Sequence, residues 1–262
     1  MANKRPIGLL DSGLGGLTVA KELHSILPNE DIVYFGDSKN CPYGNRPKDD
    51  ILALTNKMLA FLGSKNVKMV LSACNSISAL YDEYCSFYPF PIVSIIPPMA
   101  KAVSDMQIDS VGLIATKFTV ESGRYEAELK RLRPDIRVFG QGSEHLARYV
   151  DAGNLESPEI ADEVSFLVKK FQGLEVKHII LGCTHYPIVE NVFKKAAPMF
   201  EYLNPALPQA QEAKRILQKE ELLNPNDKKG KCAIYTTGQI EVCQNMLDIL
   251  GCADFMVEEL VI

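Results

Sequence analysis

The sequence lacks the features that would tie the chain to a polyanion, a membrane or an oxidising compartment. It sets 28 lysines and arginines against 33 aspartates and glutamates, a net charge of −5, so a nucleic-acid partner has no electrostatic footing. No unbroken apolar run is long enough to span a bilayer, and the start lacks the charged-then-apolar layout of a signal peptide. The seven cysteines are odd in number, scattered and without a CxxC pair, which argues against a disulfide framework. Free thiols in a reducing compartment are expected instead, hence a cytoplasmic protein with no membrane contact. Cofactor signals are thin as well. Asp11-Ser12-Gly13-Leu14-Gly15-Gly16 follows an apolar run but has neither GxGxxG spacing nor Gly-Lys-Ser/Thr. No lysine motif suggests pyridoxal phosphate, so no cofactor is expected.

What remains is an ordinary globular composition, 47% hydrophobic over 262 residues, enough for one large or two modest domains. Ile7–Leu10, Asp31–Phe35, Lys68–Ser72 and Ile92–Ile96 read as buried strands, with helical spacing over Leu17–Ile26, Lys48–Leu62 and Ile77–Tyr84. The second half repeats the rhythm at Ser110–Ile114, Ile136–Phe139, His178–Leu181 and Phe200–Leu203. Such alternation predicts an α/β fold with mostly parallel sheets. The halves also match residue by residue. Ile7–Leu10 corresponds to Val111–Ile114 and Asp31–Gly36 to Asp135–Gly140, both 104 positions on; Val67–Cys74 corresponds to Val176–Cys183, 109 positions on. Three matches in one order predict two similar α/β domains with a cleft between them. Pro97-Pro98 is the natural break, giving one domain from 1–97 with 208–262 and a second from 98–207. The segment after Ala210 is too short for a third domain and is expected to pack back on the first half.

The third match sets one cysteine just past a strand in each half, at the strand ends where open parallel sheets bind ligands. A helix start there favours the thiolate. Facing halves would present Cys74 and Cys183 to one cleft from opposite sides. That suits inversion of an α-carbon, which needs a base on one face and a proton donor on the other. Without a cofactor, preorganised dipoles must stabilise the carbanion-like transition state. Asn75, Ser76 and Ser78 after Cys74, and Thr184 and His185 after Cys183, supply amides and hydroxyls for an amino-acid carboxylate. The glycines of residues 13–16 allow close backbone approach and leave Asp11 and Ser12 facing the cleft. Cys183 and His185 alone make a poor metal site, so no metal is expected. Cys41 has no counterpart in the other half and reads as a bystander.

Four stretches together resemble the glutamate racemases, within the wider aspartate/glutamate racemase group. They are Leu10-Asp11-Ser12-Gly13-Leu14-Gly15-Gly16-Leu17-Thr18, Gly36-Asp37-Ser38 with Pro42-Tyr43-Gly44, Ala73-Cys74-Asn75-Ser76, and Leu181-Gly182-Cys183-Thr184-His185-Tyr186-Pro187. The resemblance implies that Cys74 takes the proton from the D-enantiomer and Cys183 from the L-enantiomer, assisted by Asp11 and His185. Asp37 and Asp151 would play supporting parts. Ser12, Pro42, Tyr43, Gly44, Asn75, Ser76, Thr119, Thr184 and His185 would bind substrate. The implied role is cofactor-free supply of D-glutamate for peptidoglycan, with a small amino acid as the partner and a homodimer as a possible assembly.

The chain departs from the family pattern in four places, none of which changes either thiol. Asn75-Ser76 stands for the usual Asn-Thr, Phe118-Thr119 for Gly-Thr, and Pro97 for Glu; Gly142–Arg148 replaces a stretch rich in Cys, Pro and apolar residues. These departures keep two rivals open: a related racemase for aspartate or another amino acid, and a non-catalytic amino-acid-binding regulator.

Overall fold

A computed structural model describes residues 3–260. Its strands, in chain order, are β1 (Ile7–Asp11), β2 (Ile32–Gly36), β3 (Met69–Ser72), β4 (Ile92–Ser94), β5 (Ser110–Thr116), β6 (Arg137–Ser143), β7 (His178–Gly182), β8 (Glu201–Leu203), β9 (Cys232–Thr236) and β10 (Met256–Glu259). They form a six-stranded sheet, β10-β9-β2-β1-β3-β4, and a four-stranded sheet, β6-β5-β7-β8. Every strand pairing among the described residues is parallel. Parallel neighbours need crossovers. The helices supply them: α1 (Leu17–Ile26), α2 (Lys48–Ser64), α3 (Asn75–Ser78), α4 (Ile96–Asp105), α5 (Lys117–Glu121), α6 (Arg124–Leu132), α7 (Leu146–Asp151), α8 (Pro158–Lys169), α9 (Glu190–Ala196), α10 (Ala206–Lys219) and α11 (Ile240–Leu250).

The order β2-β1-β3-β4 recurs as β6-β5-β7-β8, so the sequence repeat is a repeat of topology. Register follows it: Gly8 lies beside Val70, and their matched residues Gly112 and Ile179 lie beside each other. Apolar strands without alternation are buried on both faces, as parallel sheets require. Ile7 and Leu9 face a core shared with Val111, Leu113 and Ile180 of the other sheet. Leu10, Val33 and Phe35 pack against Met58, Leu59 and Leu62 of α2, while Ile114, Ile179 and Leu181 pack against Val164, Leu167 and Phe193 of α8 and α9. Each such side chain contributes about 1.5–3 kcal/mol relative to exposure.

The chain passes from the first sheet to the second through α4, whose first turn holds Pro97 and Pro98. Proline costs nothing there, because those N–H groups have no helical partner. It returns through α10, which packs on α1 and α4; β9 then pairs with β2, and β10 with β9. The return seals Lys68. Its Nζ donates to Glu30 Oε2 at 2.5 Å and to the Leu222 carbonyl at 2.8 Å, and the Asn224 N–H donates to Glu30 Oε1 at 2.7 Å.

Two expectations need amending. Strands β9 and β10 had no counterpart in the strand pattern read from the sequence. The helix expected over Ile77–Tyr84 is cut to α3 and two 3-10 turns, Tyr81–Glu83 and Cys85–Phe87. Side chains there bond to the sheet instead of serving a helix: Ser78 Oγ donates to the Ser72 carbonyl at 2.9 Å, Tyr84 OH to Ser72 Oγ at 3.2 Å, and Tyr81 OH to the Ile92 carbonyl at 2.9 Å. Among the described residues no helix is long and apolar enough to cross a membrane.

Candidate active site

The carboxyl ends of the central strands of both sheets converge on one cavity. Its walls are Ser12, Pro42, Tyr43, Gly44, Cys74, Asn75 and Ser76 from the first half, and Thr116, Ala147, Cys183, Thr184 and His185 from the second. The cavity measures about 10 Å³. That is of the order of one water molecule, so an amino acid enters only when the walls part. Glycines let the halves meet this closely. A Cβ on Gly15 would stand 2.5 Å from Thr184 Oγ1 and 2.7 Å from the His185 amide nitrogen, and one on Gly44 would run into Thr116. A roomier cavity of about 660 Å³, between α4 and α10, holds neither Cys74 nor Cys183. Its cations Lys101, Arg124 and Arg215 are each paired with a carboxylate. Both candidate thiols line the smaller one.

Cys74 caps the start of α3, and its thiol donates to Ser12 Oγ at 3.4 Å. Burial, with the charge of nearby Asp11 adding to it, pushes this thiol up to about 12. The Ser12 hydroxyl and the Ile77 N–H pull the other way without reversing it. The expected preference for thiolate at a helix start is therefore outweighed. α3 is one turn long, and the thiol is only 4% exposed.

Cys183 has a different neighbour. His185 Nδ1 lies 3.8 Å from its sulfur, and His185 Nε2 lies 2.7 Å from Asp151 Oδ1. Burial works against a charged imidazole, but hydrogen bonds to Asp151, Cys183 and Cys41 outweigh it and hold His185 well above its ordinary value. Asp151 also accepts the Leu14 N–H at 3.0 Å, tying the second half to the glycine turn of the first. Asp11 stands one layer behind the cavity wall and does not face it as expected. Its carboxylate accepts the Gly13 N–H and the Thr184 hydroxyl, each at 3.0 Å. Burial raises the Asp11 carboxyl despite the opposing charge of His185.

Polar groups of the right kind for a carboxylate ring the cavity. Ser76, Thr116 and Thr119 form a hydroxyl triangle with Oγ separations of 3.0, 3.3 and 2.9 Å. Thr119 reaches the site only through this triangle. Asn75 Oδ1 accepts from Tyr125 OH at 2.7 Å, whereas its buried Nδ2 has no partner among the described residues. A buried amide donor left open at a cavity wall is a ready ligand contact. Asp37 steadies the Pro42-Tyr43-Gly44 loop by accepting from Tyr43 OH at 2.6 Å, and it accepts Thr237 Oγ1 at 2.7 Å. The sequence reading missed Thr116 and Ala147. Thr116 lies 104 positions after Ser12, so the first repeat offset points to it; no comparable signal marks Ala147.

A family model described as Asp/Glu/Hydantoin racemase matches residues 7–207. The chain belongs to this family. Glutamate racemase 2 of Caldanaerobacter subterraneus subsp. tengcongensis is 36% identical over 241 residues, 91% of this chain and 90% of its own length. A glutamate racemase of Bacillus cereus is 35% identical, covering 92% and 90%. Among solved structures, glutamate racemase isoform RacE1 of Bacillus anthracis superposes with a TM-score of 0.93 at 29% identity, covering 99% and 98% of the two chains. A Francisella tularensis glutamate racemase in complex with D-glutamate gives 0.90 at 29% identity and 98% coverage of both. The likeness to these structures therefore runs through the C-terminal return, beyond the residues of the family model.

Proposed function

We propose that the chain racemises glutamate without a cofactor by passing protons between Cys74 and Cys183, and so supplies D-glutamate for peptidoglycan. The observation that carries this reading is that the two thiols, one from each sheet, line a single cavity walled by amides and hydroxyls. The likeness to glutamate racemases, one of them solved with D-glutamate, supports the choice of substrate. In this reading residues 1–97 with 208–262 form one domain and 98–207 the other, and closure of the two expels water from the site.

Cys183, as thiolate, takes the α-proton of L-glutamate, with His185 beside it. Cys74, as thiol, then delivers its proton to the opposite face, leaving D-glutamate, a Cys183 thiol and a Cys74 thiolate. The reverse direction starts from that state. Charge developing on the substrate carboxylate is met by Asn75 Nδ2, the Ser12 hydroxyl and backbone N–H groups. The Ser76, Thr116 and Thr119 triangle accounts for binding of a second carboxylate.

Incubation of the purified protein with L-glutamate in heavy water, with nothing else added, tests the proposal. D-glutamate carrying deuterium at the α-carbon is the expected product. Absence of α-exchange in either enantiomer would point to an amino-acid-binding regulator. Faster turnover of aspartate than of glutamate would give the chain to a related racemase.

A further inference from the structure

The mechanism leaves one group of ligating side chains unused. One nitrogen, sulfur or oxygen atom from each of Cys41, Asp151 and His185 can be chosen so that all three lie within 4.8 Å of one another. We propose that these three residues form a binding site for a thiophilic divalent cation, zinc above all, that clamps the two halves together and stops turnover.

The donor set argues for the class of ion. A thiolate, an imidazole nitrogen and one carboxylate oxygen are the usual protein ligands of zinc, and a water completes four-coordination. Tetrahedral zinc with bonds of about 2.0–2.3 Å sets its ligands roughly 3.3–3.8 Å apart. The His185–Asp151 contact of 2.7 Å therefore has to open by less than about 1 Å, within reach of small side-chain rotations. Charge balances too. Zinc displaces the Cys41 thiol proton and the Nε2 proton of His185, both of which leave to solvent. The resulting thiolate and carboxylate neutralise the ion beside a neutral imidazole. Gly13 keeps the space clear, since a Cβ there would stand 2.7 Å from Asp151 Oδ1 and 3.0 Å from Cys41 Sγ. Cys41 and Asp151 are partly exposed, which gives the ion a way in.

Placement of the ligands explains inhibition. Cys41 belongs to the loop after β2, in the first half, whereas Asp151 ends α7 and His185 follows β7, both in the second. A metal bonded to all three cross-links the halves in their closed arrangement, around a cavity of about 10 Å³ that an amino acid must open to enter. It also takes the Nε2 proton from the imidazole whose other nitrogen faces Cys183.

The binding claim is independent of the racemase reading, and the inhibition claim rests on it; the experiment separates the two. Chelator-treated protein is titrated with cobalt(II) chloride as a spectroscopic stand-in, and racemase activity is followed against zinc chloride. Expected are a thiolate-to-cobalt absorption band at one equivalent and zinc inhibition reversed by EDTA; inhibition of Cys41→Ser is scored against that variant's own metal-free rate, since Cys41 also bonds to His185. That variant should lose the band and weaken zinc inhibition by about tenfold or more, as removal of a direct ligand requires. Cys41→Ala serves in its place if the serine variant does not fold. Equal zinc inhibition in wild type and variant would assign the metal to Cys74 or Cys183 and overturn the proposal. So would the absence of a cobalt band in the wild type, whatever the racemase activity proves to be.

Discussion

The two halves share a topology and differ in what surrounds equivalent residues. Cys74 and Cys183 follow matched strands, yet Cys74 is held by a serine hydroxyl and Cys183 sits beside an imidazole. Position 76, a serine, corresponds to position 185, a histidine, at the same offset of 109. Lys68 corresponds in the same way to Lys177; the first is sealed against Glu30, and the second is exposed. Repetition of a fold thus puts two sulfurs on opposite sides of a cleft, while the chemistry around each is set locally.

The comparison breaks hardest at the cysteines. Cys74→Ser and Cys183→Ser should each cut two-way racemisation by about 10²–10⁴-fold, the worth of a positioned acid or base. They should differ in what survives. In heavy water Cys74→Ser should exchange the α-proton of L-glutamate alone, and Cys183→Ser that of D-glutamate alone, read by proton NMR. In the second variant the exchange should speed up as pH rises towards 9. The remaining thiol, pushed up to about 12, is a base only in its minor thiolate form. Full racemisation by either variant would end the two-thiol scheme.

Positions 185 and 76 sharpen the contrast. His185→Asn should lower kcat by about 10²-fold, the low end of what proton transfer contributes. Ser76→Ala should mainly raise KM, by about tenfold at most, since it removes one neutral hydrogen bond. Enantiomers have equal free energies in solution, so kcat/KM must fall by the same factor in both directions. The asymmetry between the sides is therefore sought in kcat and KM separately.

The lysine pair moves the comparison from catalysis to stability. Lys68→Met should cost about 3–5 kcal/mol in urea unfolding by leaving Glu30 buried and unpaired. Lys177→Met should stay within about 0.5 kcal/mol. The last effect concerns pH. Burial raises the Cys74 thiol above its unfolded value of about 8.5, so its contribution to stability is intact below that pH. It is lost as pH climbs towards 12, by up to about 1.4 kcal/mol per unit. Thermal melts at pH 8 and pH 10 should show a smaller drop for Cys74→Ala than for wild type.

Much of this was legible in the chain. β1, β2 and β3 announce themselves as apolar runs, and their echoes 104 and 109 positions later carry the same strand order into the second sheet. Ser12, Cys74, Asn75, Ser76, Cys183, Thr184 and His185 follow from that placement, because they sit just after strands; Pro42, Tyr43 and Gly44 came from the family resemblance alone. Three things were hidden. Cys232–Thr236 alternates buried and half-buried residues, a weak signal beside the continuous runs of the central strands. The break after Ser78 depends on hydroxyl contacts with β3, invisible to helical spacing. The bond of Asp151 to His185 joins residues 34 positions apart, across α8 and β7, a pairing that no local pattern encodes.

The six-stranded sheet is assembled from both ends of the chain, whereas the four strands of the other come from one continuous stretch. During synthesis every strand of the smaller sheet is made before β9 and β10. Lys68 meanwhile waits for Leu222 to arrive before its last bond can form. The four strands of the sheet that carries Cys183 are thus all present in the nascent chain before the sheet that carries Cys74 receives its last two.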